Sequence, residues 1–178
     1  EEIDLRWKGA IARFFPETWE LMLSVFPDSC LPPSPKNNLK LFQIRDESKR
    51  QQCLNAVQRH FRKASKLQYP VNELENYYES GANDEQIYTN MLLHFYYSAN
   101  YAFLEDNQIL NNADKIENIP TRIINGRFDT ITSPISAFKL HKKLPNSKLI
   151  IVEKAAHSSS EKLIQTQLLL AMNNIDEW

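Results

Sequence analysis

Residues 119–175 read IPTRIINGRFDTITSPISAFKLHKKLPNSKLIIVEKAAHSSSEKLIQTQLLLAMNNI, and the changes of apolar period along them decide the fold. IPTRIING and SKLIIVEKA are short β-rich runs without polar alternation, the pattern of strands covered on both faces. Between them, SPISAFKLHKKLP offers Ser133 as an N-cap and Pro134 at the first helical position, with Ile135, Ala137, Phe138 and Leu144 as its apolar side. KLIQTQLLLAMNNI closes the stretch as an amphipathic helix. Strand, helix, strand, helix predicts an α/β fold with parallel strands.

In such sheets, chemistry gathers in the loops beyond the carboxyl ends of the strands. The loop RFDTIT carries Asp129, and the loop AHSSSE carries His157, 28 residues later. One strand–helix–strand unit takes about 30 residues, so the two loops can finish side by side. An aspartate there can accept a hydrogen bond from the imidazole Nδ1–H. That fixes the tautomer and stabilises the imidazolium formed when Nε2 takes a proton. Taken singly, Asp129 fits a turn former or helix cap, and His157 a solvated loop histidine. Their joint placement points to the acid and base of a nucleophile–His–Asp triad.

The nucleophile is missing. No G-x-S-x-G occurs, and no serine follows a strand and opens a helix; Ser80, in ESGAN, fits a turn. With the chain order nucleophile, acid, histidine, the serine is expected upstream of residue 1.

Residues 1–117 read as helical. PETWELMLSVFP places Pro16 at a first helical position and spaces Trp19, Met22, Leu23 and Phe26 by three and four. CLPPSPKNN, residues 30–38, is expected as a loop. A helix is expected from Asp46 to Leu67, with Cys53, Leu54, Val57, Phe61 and Ala64 along one side. Its start, DESKRQQ, reads as a solvated face. Another follows Asn83, which has capping-box spacing to Gln86. His60 and His94 read as packed or surface histidines without metal-ligand spacing. Phe95, Tyr96, Tyr97, Tyr101 and Phe103 read as helix packing, with the lining of an apolar pocket as the alternative.

Composition narrows the function classes. Of 178 residues, 42% are hydrophobic, enough for a core, and the formal charge of −1 gives no electrostatic reason to expect nucleic acid or an anionic membrane. No apolar run approaches the roughly 18–20 residues of a membrane span, and EEIDLRWKGA is neither a signal nor a transit peptide. Cys30 and Cys53 lack metal or redox spacing, so reduced thiols in a cytoplasmic protein are expected, with a disulfide left open. The three glycines, Gly9, Gly81 and Gly126, exclude a Gly-rich phosphate loop and suggest a piece of a larger fold.

With these motifs in hand, the chain resembles the second half of the proline iminopeptidase (prolyl aminopeptidase) family of cap-bearing α/β-hydrolases. EIDLRWKGAIARFFPETWE resembles the stretch entering the family's cap, through Glu2, Asp4, Arg13, Phe15, Pro16, Trp19 and Glu20. IPTRIINGRFDTITSP resembles its acid loop, and AAHSSSE its histidine loop. The resemblance implies an α/β-hydrolase fold fragment: a helical cap over 1–117, then the last strand–helix–strand–helix units of the core over 118–178. It implies Asp129 as triad acid, His157 as general base, no cofactor and no metal. The substrate it implies is a peptide with a free N-terminus, from which proline is released through an acyl-enzyme. An oligomer is compatible with it.

The departures fall on recognition. Leu93 stands where the family's cap carries a glutamate that holds the substrate's amino group, and Phe61–Arg62 aligns near a second cap carboxylate. An ammonium buried without a carboxylate is costly, so loss of both should weaken exopeptidase selectivity. Glu73, Glu75, Glu79, Glu105 and Asp106 are candidate substitutes. Ala156 replaces the family's glycine before the histidine. Two alternatives therefore stand beside the aminopeptidase: an esterase or other small-substrate hydrolase, and a non-catalytic homologue or fragment acting in binding.

Overall fold

The computed structural model describes residues 10–65 and 84–175. It is mostly helical, with one two-stranded parallel sheet. Its described residues divide into two compact units, 10–64 with 84–105, and Ser65 with 106–175.

The first unit contains α1 (Ala10–Phe14), α2 (Pro16–Val25), α3 (Pro35–Leu39), α4 (Glu47–Ser65) and α5 (Asp84–Ala99). Its core joins Met22 and Phe26 of the α2 segment, Leu41, the α4 stripe Cys53, Leu54, Ala56 and Val57, and Ile87 and Phe95 of α5. The three- and four-residue spacing in α2 and α4 produces these inward faces. Cys30 and Cys53 are both buried there as free thiols, and burial pushes the Cys53 thiol upward despite nearby Lys49. The proline-rich stretch expected as a loop is helical from Pro35. Ser34 caps α3, its hydroxyl accepting from the Asn37 amide at 3.1 Å, and Pro35 supplies a preset φ. Asn83, the expected cap of α5, and residues 66–67 of the expected α4 lie outside the described residues.

His60 is buried in this core. Its Nδ1 lies 2.8 Å from the Thr18 hydroxyl, and its ring packs beside Trp19 and Phe61. His94 lies between Phe61 and Phe95. Among the five aromatic residues expected to pack, only Phe95 is buried. Tyr96, Tyr97, Tyr101 and Phe103 are exposed, because they sit on the other side of α5 and on the turn after it, where Tyr96, Tyr97 and Phe103 contact one another.

The second unit contains α6 (Gln108–Asn111), β1 (Thr121–Gly126), α7 (Pro134–Lys143), β2 (Ser147–Val152) and α8 (Lys162–Asn173). The strands pair in parallel, from Thr121 opposite Ser147 to Gly126 opposite Val152. Ile124, Ile150 and Val152 pack with Ala155 and with Ile164 of α8. Ser133 does precede α7, but its side chain makes no capping bond; Pro134 alone sets that start. No helix among the described residues is long and apolar enough to cross a membrane.

Candidate active site

Beyond Gly126 the two strands stay joined through their turns. The Arg127 amide donates to Val152 O at 3.0 Å, and the Phe128 amide to Ala155 O at 2.8 Å. Gly126 makes that approach possible: a Cβ there would run into the carbonyl oxygen of Ala156 and stand 2.7 Å from that of Ala155. Arg127 also reaches Glu153 across the turns at 2.8 Å. This pair is exposed, so it is screened and contributes little to stability.

Parallel pairing thus sets the two expected site residues side by side. Asp129 is 7% exposed, and His157, on the loop after β2, keeps 36% of its side chain exposed. His157 Nδ1 lies 3.0 Å from Asp129 Oδ2 and 3.2 Å from Oδ1.

The carboxylate is held from its other side by its own loop. Oδ1 accepts from the amides of Ile131 at 2.9 Å and Thr132 at 2.8 Å, and Oδ2 accepts from the Thr132 hydroxyl at 2.8 Å. Burial, the largest single influence, opposes ionisation. The hydrogen bonds from His157 and from the Thr132 amide and hydroxyl outweigh it, so the Asp129 carboxyl lies below its ordinary range.

The same contacts fix the imidazole. Thr132 spends its only hydroxyl proton on Asp129, so the lone pair of its oxygen faces His157 Nδ1 at 3.2 Å. Every group facing Nδ1 is then an acceptor, which assigns the ring proton to Nδ1 and leaves Nε2 as the basic nitrogen.

Two residues to which sequence reasoning gave no role complete the setting. Thr132 is one, signalled by an Asp-x-x-Thr spacing that turns commonly use. Glu161 is the other: buried, it accepts from the Ala156 amide at 2.8 Å and the Ser158 amide at 3.0 Å. Its signal was the Ser-x-x-Glu spacing of a helix start, within a segment read as a polar loop. Leu93 is 54% exposed on α5. Glu73, Glu75 and Glu79 lie outside the described residues. Among the described residues, no group of three or more His, Cys, Asp or Glu side chains is placed to hold a metal ion.

The parallel strand–helix–strand–helix unit, with its polar loops at the carboxyl edge, is that of the closing part of an α/β-hydrolase core. Sequence comparison agrees with the resemblance noted above. The chain is 28% identical over 172 residues to the proline iminopeptidase of Arabidopsis thaliana, covering 96% of this chain and 44% of that protein. It is 28% identical over 179 residues to the proline iminopeptidase of Neisseria meningitidis serogroup A, covering 98% and 54%. A probable proline iminopeptidase of Leptolyngbya boryana is 42% identical over 89 residues, covering 49% of this chain and 28% of that protein. The chain therefore spans about half the length of the curated relatives it matches, and the matched part is their C-terminal part. No family model matches it.

Proposed function

We propose that this chain supplies the acid and base of a serine-type aminopeptidase that releases N-terminal proline from peptides. Asp129 is the triad acid, His157 the general base, and the nucleophilic serine lies in chain preceding residue 1. The observation that carries this is His157 Nδ1, 3.0 Å from Asp129 Oδ2, on a carboxylate whose remaining lone pairs the Ile131 and Thr132 groups occupy.

His157 Nε2 takes the serine proton as the hydroxyl attacks the carbonyl that follows proline's nitrogen-bearing ring, and returns it to the leaving amine. Water, deprotonated by the same nitrogen, then cleaves the acyl-enzyme. Asp129 stays ionised throughout, which its depressed pKa favours. The helical unit acts as the cap, and the strand-bearing unit as part of the catalytic core.

A second reading has its own support. Leu93 puts an exposed apolar side chain, near exposed Tyr96 and Tyr97, where a carboxylate would be needed for the substrate's amino group. That surface suits an esterase acting on a small neutral substrate.

Labelling with a fluorophosphonate, read by intact mass, tests for the serine, and the proline anilide to acetyl ester rate ratio separates the substrates. One covalent adduct on a parent heavier than 20.8 kDa, with anilide turnover, is the expected result. Robust ester turnover with no action on the anilide would establish the esterase. A 20.8 kDa species without an adduct would show that this chain is not itself the enzyme.

A further inference from the structure

We propose that Glu161 is a positioning residue for His157, acting as a carboxylate clamp on the peptide groups at either side of it. This rests on the reading of His157 as general base. Glu161 is 2% exposed, and its two oxygens divide between two amides: Oε2 takes the Ala156 N–H at 2.8 Å, Oε1 the Ser158 N–H at 3.0 Å. Those amides belong to the residues immediately before and after His157. Two carbonyls of this loop are also committed. The Ala155 carbonyl accepts from Phe128, and the Ser158 carbonyl accepts from the Glu161 amide at 3.0 Å.

The clamp has a chemical reason to be a carboxylate. Both facing groups are donors, so the residue between them must accept twice, in directions set by a planar fork. Glutamine, of the same shape, would accept once and turn an N–H₂ toward an N–H. Glu161 begins the turn into α8, whose Ile164 is anchored in the unit's core beside Val152 and Ala155. The clamp thus ties the histidine loop to a packed helix rather than to solvent. Asp129 orients the imidazole ring, whereas Glu161 fixes the backbone from which the ring projects. The closely approaching Gly126 leaves the loop little other room.

The test is the exchange with water of the His157 Nδ1–H proton, followed by NMR in the unmodified chain and in Glu161→Gln. Loss of one charge-assisted bond should speed that exchange about tenfold or more, while Glu161→Gln still unfolds cooperatively. Exchange within about twofold of the parent, in a folded Glu161→Gln, would overturn the assignment. If Glu161→Gln does not fold, the parent chain decides alone. The Ala156 and Ser158 amides should then exchange more slowly than that of Ser159, and equal rates would overturn the clamp. These readouts need no nucleophile and no substrate. A preparation that takes the fluorophosphonate label and shows the clamp without releasing proline would keep this inference and sink the peptidase proposal; proline release without the clamp would do the reverse.

Discussion

His157 touches both oxygens of Asp129, with Nδ1 3.0 Å from Oδ2 and 3.2 Å from Oδ1, and this contact makes stability depend on acid in a defined direction. The folded carboxyl lies below its ordinary range, so the unfolded chain binds the proton more readily. The stabilisation is complete above the ordinary aspartate value of about 3.9 and is lost as pH falls through the lower folded value. Asp129→Asn should cost about 1.5–3 kcal/mol at neutral pH, the range for buried hydrogen bonds to a charged group. Denaturant unfolding at several pH values should show the gap between parent and variant narrowing in acid. A gap that widens there would contradict the sign.

Thr132 should contribute through both members of the pair, donating to Asp129 and facing His157 Nδ1. Thr132→Val removes the hydroxyl that donates to Oδ2 at 2.8 Å but keeps the amide that donates to Oδ1. The expected loss is about 1 kcal/mol or somewhat more, with the Asp129 carboxyl rising toward its ordinary range. Thr132→Ser should restore both. Carboxyl titration by NMR would check this, and an unmoved Asp129 in Thr132→Val would remove the hydroxyl from the account.

Gly126 should tolerate no side chain. In Gly126→Ala, the methyl would stand 2.7 Å from Ala155 O and closer still to Ala156 O. Both obstacles are backbone, which cannot rotate aside. About 1–3 kcal/mol of stability should be lost, together with the downfield His157 Nδ1–H resonance. A thermal midpoint equal to the parent's would show that the loops have more freedom than their spacing allows.

The first unit offers the opposite kind of substitution. Asn38 is fully buried, and among the described residues neither Nδ2 nor Oδ1 of its side chain has a hydrogen-bond partner. Such an amide carries a desolvation cost of about 1–3 kcal/mol with nothing to offset it. Asn38→Leu, of similar branching, should therefore raise stability, and Asn38→Asp should lower it. Thermal unfolding would decide, and a destabilised Asn38→Leu would mean that the site is shaped for the amide.

The legible parts of this protein were those with a local cause. Apolar runs fixed both strands, and the prolines at positions 16 and 134 marked helix starts that the structure keeps. Asp129 and His157 were found because parallel topology forces consecutive loops to one edge. Residues 35–38 were misread as loop because their prolines and asparagines outweighed a capping serine. The aromatic residues after Phe95 were misassigned because ring content signals packing without saying which side of a helix faces the core. Thr132 and Glu161 act through backbone amides, and a sequence pattern names the side chain but not the amide it will meet.

The central claim, that Asp129 and His157 act as one acid–base unit on a serine, is tested most directly by a single rate comparison. A preparation that takes the fluorophosphonate label should be assayed for proline anilide hydrolysis beside its Asp129→Asn counterpart. The expected result is a fall in kcat of about 10⁴, the size that follows when loss of a triad aspartate leaves the histidine in the wrong tautomer. An Asp129→Asn enzyme that hydrolyses the anilide at the parent's rate would contradict it.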